Sequence, residues 1–340
     1  LKILLFFIFT MVSFAQNEIK INAKLIENGK KIEVYQEINL KNTSTSVLTE
    51  IALNDWNNAF SSKKSALASK FSDEFNRSFH LSKKADRGET QISEITNDFS
   101  NPLLFYRNEN QVDILKVKLE KPLQIGESTT LKIKYQVTLP NTKFTKFGFS
   151  ENKILLKNCF LTISAFNSET QSEENSDDLT SEISNYKVDI QYDNLFLTTD
   201  LDITNSTNNS SQLTGNSRSN FFIVLEKTNS YEEFKNQKIN VVTNLKTKDV
   251  LIYYKVLVID KITNYVAENI GVSNQEKIMV SQEDYDREAF YGLNELPSFI
   301  SPFNDDFIFE LKFLKTYLNN YLAANLKINL RKDHWILEGI

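Results

Sequence analysis

PFNDDFIFELKFLKTYLNNYLAANLKINLRKDHWILEGI, residues 302–340, is the stretch from which the rest of the chain can be read. Asn304 or Asp305 suits a helix N-cap, because a short side-chain oxygen accepts from the free backbone N–H groups of a first turn. Phe307, Leu311, Leu314, Leu318 and Leu322 follow at spacings of four, three, four and four. That rhythm predicts one apolar stripe along a helix. Asp305 and Asp306 at the start, with Lys312 and Lys315 further on, suit the helix dipole. After a polar break at residues 329–333, Trp335-Ile-Leu-Glu338-Gly339 reads as the opening of another helix.

Two features of this ending carry a resemblance. Trp335-Ile-Leu-Glu338-Gly339 is similar to the WLNEG segment of the aminopeptidase N family of zinc metallopeptidases, the gluzincins. In that family the Glu of the segment is the third zinc ligand, which makes Glu338 the vestigial ligand position here. The other two ligands are histidines of an HExxH motif on the preceding helix, whose Glu is the general base. Phe309-Glu310-Leu311-Lys312-Phe313 is the nearest match, so the resemblance puts Glu310 at the vestigial base position.

The match fails where the chemistry matters. Zinc needs lone-pair donors at i and i+4, and a phenyl ring offers none. The family places eighteen residues between the second His and the ligand Glu, whereas 24 separate Phe313 from Glu338. Counting back eighteen lands on Lys315-Thr-Tyr-Leu-Asn319, which supplies no histidine either. The whole chain holds only His80 and His334, so no change of register provides the pair. The expectation is a catalytic-type domain whose zinc site has been lost, with no cofactor.

Immediately upstream, Tyr291-Gly-Leu-Asn-Glu295-Leu-Pro297 has Gly292 and Glu295 spaced as in the family's GxMEN strand, whose Glu holds the substrate α-amine. The Met and Asn are absent, and only 13 residues separate Glu295 from Phe309. A Pro-bounded turn competes with a substrate-binding role for Glu295. Ser298 and Ser301 have no nearby His and are not nucleophile candidates. Further back, Leu251, Tyr254, Val258, Ile262 and Tyr265 predict a helical face over 249–269, capped by Thr247 or Asp249 and stopped by Gly271. Residues 277–281 read as a short buried strand. Helix then strand is how the thermolysin-like domain of the family opens.

Ahead of this the period is two. Leu131, Ile133, Tyr135, Val137 and Leu139 alternate along one face, and residues 32–40, 112–119, 186–192 and 221–225 behave alike. Pro122 and Gly126 bracket a turn between two of these runs. A helix over 62–79 is expected from Leu67, Phe71, Phe75 and Phe79, with His80 after it as a structural or exposed residue. The run from Leu48 through Trp56 to Ala59 resembles an "L..I.L..W.NA" strand of the family's saddle-like β domain, and 137–149 resembles its next stretch. Residues 167–185, with six acids and no base, and the Ser/Asn/Thr-rich 204–220 are expected to be solvated loops. No D-x-[DN]-x-[DN]-G spacing supports a calcium site in the acidic one.

Composition narrows the function classes. The 340 residues carry a net charge of −5 with no basic run, which excludes a nucleic-acid footprint. Eight glycines against 25 phenylalanines suit aromatic-packed strands and not a glycine-rich phosphate loop. The lone Cys159 excludes an intrachain disulfide and a Cys-based zinc site. Residues 1–15 read as a signal peptide: Lys2, an apolar run over 3–14, and Ser13-Phe-Ala15 before Gln16. About a dozen apolar residues fall short of the roughly 20 that span a bilayer.

Export to a periplasmic, outer-membrane-associated or extracellular location is therefore expected, with no transmembrane segment after cleavage. A Leu start and an end inside a motif read as a truncated bacterial member. The expected layout is a β-rich saddle or sandwich domain over 16–240. The incomplete start of an α+β thermolysin-like domain follows over 241–340. Three functions fit: a non-catalytic relative that binds peptides or envelope proteins, an active zinc aminopeptidase with atypical ligands, or a structural envelope protein.

Overall fold

The computed structural model describes residues 17–166, 171–287, 289–290 and 303–325. The expected signal peptide, Glu295, His334, Glu338 and the Trp335–Gly339 segment lie outside them.

Strands β1 (Asn17–Ile26), β2 (Lys31–Lys41) and β3 (Leu48–Asn54) open the chain, followed by the short helix α1 (Ala66–Asp73). Next come β4 (Glu89–Thr96), β5 (Phe105–Asn108), β6 (Gln111–Leu123) and β7 (Ser128–Thr138). Two-residue β8 (Gly148–Phe149) and β10 (Thr162–Ile163) flank β9 (Lys153–Lys157). Then follow β11 (Ser184–Gln191), β12 (Phe196–Thr199), β13 (Asp202–Ser206), β14 (Ser210–Arg218) and β15 (Phe222–Glu226). The remainder alternates: β16 (Glu232–Lys235), β17 (Asn240–Thr243), α2 (Ile252–Asn269), β18 (Lys277–Val280), α3 (Gln282–Arg287) and α4 (Asp305–Asn325).

The fold is mostly β, with a large multi-sheet N-terminal region and a few helices. A seven-stranded sheet runs β13-β14-β11-β1-β2-β7-β4, and two four-stranded sheets run β10-β3-β6-β5 and β12-β15-β9-β8. Their inward side chains share one core. Leu131, Ile133, Tyr135, Val137 and Leu139 are all buried in it, as their alternation requires. Each fully buried Ile or Leu contributes about 1.5–3 kcal/mol by leaving water. On β2 the register sets Gln36 opposite Ile133, inside the core. Its amide survives there because it donates to Leu161 O at 2.7 Å and accepts from the Tyr135 hydroxyl. Gly29 holds the β1–β2 turn at φ +85, where a Cβ would stand 2.1 Å from Ile154 Cδ1.

Two expectations in this region need correction. The helix after residue 62 is short: Ser65 caps it by accepting from Ala68 N–H, and it stops at Asp73. Phe75 adopts φ 56 and is 92% exposed, so it breaks the predicted stripe, while Leu67, Phe71 and Phe79 bury together with Phe144. Residues 204–220 are no loop. They supply most of a β13–β14 hairpin at the sheet edge. Ser211, Leu213 and Gly215 alternate inward on β14, and the ladder satisfies the backbone that the polar composition was expected to leave in water.

From β16 onward the described residues are built differently. β17 and β18 pair in parallel, joined by α2 in a βαβ crossover, and β16 adds an antiparallel edge. α2 and α4 pack with this three-stranded sheet around a core of their own, including Ile259, Ile262, Ile278, Tyr285 and Phe313. The predicted strand at 277–281 is β18. α2 starts later than predicted, with Leu251 at the N-cap and no side-chain cap. Val258 and Ile262 face the core, but Leu251 and Tyr265 stand in solvent beside the buried Ile259 and Val266. A smaller apolar cluster of Phe147, Leu155, Phe222, Tyr231, Val242 and Met279 joins the two parts.

Candidate functional site

α4 begins where the sequence puts it, since Asn304 Oδ1 accepts from Phe307 N–H at 2.8 Å. Its buried face departs from the leucine stripe, of which only Leu322 is fully buried. Phe307 and Leu314 are 41% and 37% exposed, whereas Phe309 and Phe313 are 1% and 0% exposed. The inward face continues through Thr316, Tyr317, Tyr321 and Leu322. Successive rings stack at centroid distances of 6.0, 5.5 and 6.0 Å along Phe309, Phe313, Tyr317 and Tyr321. Four aromatic side chains bury more apolar area than the leucines could, and that selects the rotation of the helix. The Tyr321 hydroxyl closes the row by donating to Gly271 O at the end of α2.

These positions do not fit a zinc ion. The i and i+4 side chains of the resemblance are packed phenyl rings without lone pairs. Glu310, one residue along, turns toward α2: Lys261 Nζ donates to its Oε1 at 2.7 Å and the Tyr254 hydroxyl to its Oε2 at 3.5 Å. Burial first, then the Glu310 charge, pushes the Tyr254 phenol above its ordinary range. Among the described residues no group of three His, Cys, Asp or Glu could hold a metal. His80 is structural, with Nε2 2.8 Å from Ser72 Oγ and 2.9 Å from Ala68 O at α1. Cys159 is buried, and loss of solvation pushes its thiol far up, leaving it inert.

A second locus lies further along α4. A cleft of about 180 Å³ opens between β9, β15, the loop around Asp177, α3 and the C-terminal half of α4. Ion pairs cross the seam beside it. Lys157 on β9 meets Asp284 on α3 at 2.9 Å, both largely buried, and Arg287 meets Asp177 at 2.5 Å. Lys153 bridges Glu226 and Glu283 at 3.4 and 2.9 Å.

Burial pushes the Asp284 carboxyl up, but the neighbouring Lys157 and Arg287 prevail and hold it below its ordinary range. Asp200 goes the other way: burial raises it in spite of Arg218 at 3.5 Å. Asp177 and its neighbours belong to the acidic loop, whose described part is pinned and not merely solvated. Glu173 N–H donates to Asp113 Oδ2 at 3.1 Å, and both Glu173 and Ser176 are buried.

The seam residues carry only a faint sequence signal. Period two puts Lys153, Leu155 and Lys157 on one face of β9, opposite Ile154 and Leu156, which is unusual for a buried strand. Nothing in the spacing names the acids that meet those lysines, among them Glu283 and Asp284 at 130 and 127 residues away. Among the described residues no helix is long and apolar enough to cross a membrane.

No protein-family model and no curated protein sequence matches this chain. Among solved structures, an M1 zinc metallopeptidase from Deinococcus radiodurans superposes at TM-score 0.45 with 9% identity, covering 78% of this chain and 56% of that one. A mutant of that enzyme bound to a Tyr-Ser-Ala substrate gives 0.46 and 10%, with the same coverages. Native leukotriene A4 hydrolase from Saccharomyces cerevisiae gives 0.43 and 11%, covering 79% of this chain and 38% of that one. The chain thus spans little more than half of the first structure and well under half of the last.

Proposed function

We propose that this chain is an aminopeptidase N-like protein of the cell envelope that performs no zinc-dependent hydrolysis and is retained to bind peptides or partner proteins. One observation carries the reading: Phe309 and Phe313, at the two positions where the motif would need histidines, are fully built into the core of α2, α4 and the three-stranded sheet. A carboxylate set drawn from Glu310 would not rescue zinc binding, because that side chain is engaged with Lys261 on the flank of α2. The family assignment rests on the sequence resemblance at Phe309–Phe313 and Trp335–Gly339. Export rests on the leader-like residues 1–15, and a mature N-terminus at Gln16 would support it.

Elemental analysis and turnover of aminoacyl arylamides test the reading, on this chain and on a form extended past Ile340. The expected result is no stoichiometric zinc, no chelator-sensitive turnover, and no change in either on Glu310→Gln. Stoichiometric zinc with turnover abolished by Glu310→Gln would overturn it.

A further inference from the structure

The seam cleft has a volume and a lining that the ion pairs alone do not explain. At about 180 Å³ it exceeds the roughly 150 Å³ cavity that admits a benzene. It would hold two residues of extended peptide. Its charges are matched to one another: Lys157 with Asp284 and Arg287 with Asp177 across the seam, and Asp200 with Arg218 on the β side. A strongly charged ligand would have to break one of these pairs.

What remains uncommitted is carboxamide. The Asn319 side chain on α4 makes no hydrogen bond among the described residues, although it lines the cleft. Across from it, Asn220 donates to Asn158 Oδ1 at 3.2 Å, which leaves the amino group of one and the carbonyl of the other for a ligand. A carboxamide offers a donor and an acceptor side by side, the same pair that a peptide unit presents in reverse. Ala323 and Ala324 keep that face of α4 low, and Phe222, Ile278 and Met279 give the cleft an apolar wall. Polar side chains outnumber apolar ones in the lining, so a ligand there would be held mainly by hydrogen bonds.

We infer that the seam cleft binds an uncharged peptide unit of about two residues, held by Asn319 and the Asn158–Asn220 pair. This deepens the peptide-binding reading and places its site away from the Phe309–Phe313 positions. Asn319 follows Phe313 by six residues, roughly 9 Å along the helix axis.

The test titrates N-acetyl-alanyl-alanine amide into the folded chain by calorimetry, with a neutral disaccharide and inorganic phosphate as comparison probes. The capped peptide has no free amine for an aminopeptidase to act on. Its binding is therefore read separately from zinc content and turnover, which decide the non-catalytic reading by themselves. Saturable binding of the peptide alone is expected, weakened about tenfold by Asn319→Ala and abolished by Ala324→Trp, which fills the cleft. Thermal unfolding shows whether each variant is folded; if the tryptophan variant is not, Asn319→Ala decides. Absence of saturable peptide binding, binding unchanged by the folded variants, or preference for the disaccharide or phosphate would overturn the inference.

Discussion

The seven-stranded sheet and α4 both bury a row of large side chains, yet only one of the two rows could be picked out by spacing. In β7 the side chains have two directions to choose from, and the apolar set Leu131, Ile133, Tyr135, Val137 occupies one of them alone. In α4 apolar side chains surround much of the cylinder. The leucine stripe beginning at Phe307 and the aromatic stripe beginning at Phe309 are both continuous at helical spacing. A strand with one apolar face is a decided question, whereas a helix with two is decided by what it packs against. Here the core shared with α2 and the three-stranded sheet takes the aromatic row.

Truncating one residue from each α4 stripe shows which of the two is buried. Phe313→Ala should cost about 3–5 kcal/mol, the range for a buried phenylalanine whose cavity cannot fully collapse. Leu314→Ala, at a position 37% exposed, should cost well under that, about 0.5–1 kcal/mol. Urea midpoints at constant m-value measure both. Equal losses would mean that α4 is rotated from the orientation described.

A second contrast concerns two largely buried carboxylates near the seam. Asp284 is held below its ordinary range, net of burial, by Lys157 and Arg287. Its ionisation therefore stabilises the fold above the unfolded-state pKa, near 4, and that stability is lost as pH falls through the lower folded value. Asp200 is raised by burial, so its contribution is present below its unfolded pKa and is lost as pH rises through the folded value. Asp284→Asn should thus cost about 2 kcal/mol at neutral pH, since the carboxamide keeps some of the hydrogen bonds. The deficit should shrink toward acid pH, while that of Asp200→Asn should grow. Parallel pH profiles for the two variants would show that the seam charges do not act as the geometry implies.

Legibility followed the same physics elsewhere. The strands 32–40, 112–119, 186–192 and 221–225 were readable because alternation leaves little freedom. The β13–β14 hairpin was not, since its edge strand is exposed along its whole length and its stability comes from backbone pairing with β11. Of the site residues, Phe309, Glu310 and Phe313 could be singled out through the family resemblance, because the motif it implies lies on one helix. The Lys157–Asp284 pair and the Asn158, Asn220 and Asn319 cluster could not, because each joins segments brought together by the tertiary fold alone.

The smallest expected effect concerns why α1 is shorter than its apolar spacing predicts. The spacing of Leu67, Phe71, Phe75 and Phe79 is periodic, but the backbone leaves the helix before the third of these. Asn76 N–H donates to Phe71 O at 2.7 Å and Phe75 N–H to Ser72 O at 3.0 Å, the two bonds of a Schellman ending. That motif puts its C′ residue in the left-handed region, and here the residue is phenylalanine at φ 56. An L-residue with a Cβ is held there at a cost of about 1–2 kcal/mol. Its ring is 92% exposed and returns almost no burial in exchange. Glycine would relieve the strain but add chain entropy to the unfolded state, worth about 0.5–1 kcal/mol in the opposite sense. The two terms leave Phe75→Gly stabilising by about 0.5 kcal/mol, read as a small upward shift of the urea midpoint. A loss of 1 kcal/mol or more would show that Phe75 packs as the helical spacing first implied, and that α1 runs on toward Phe79.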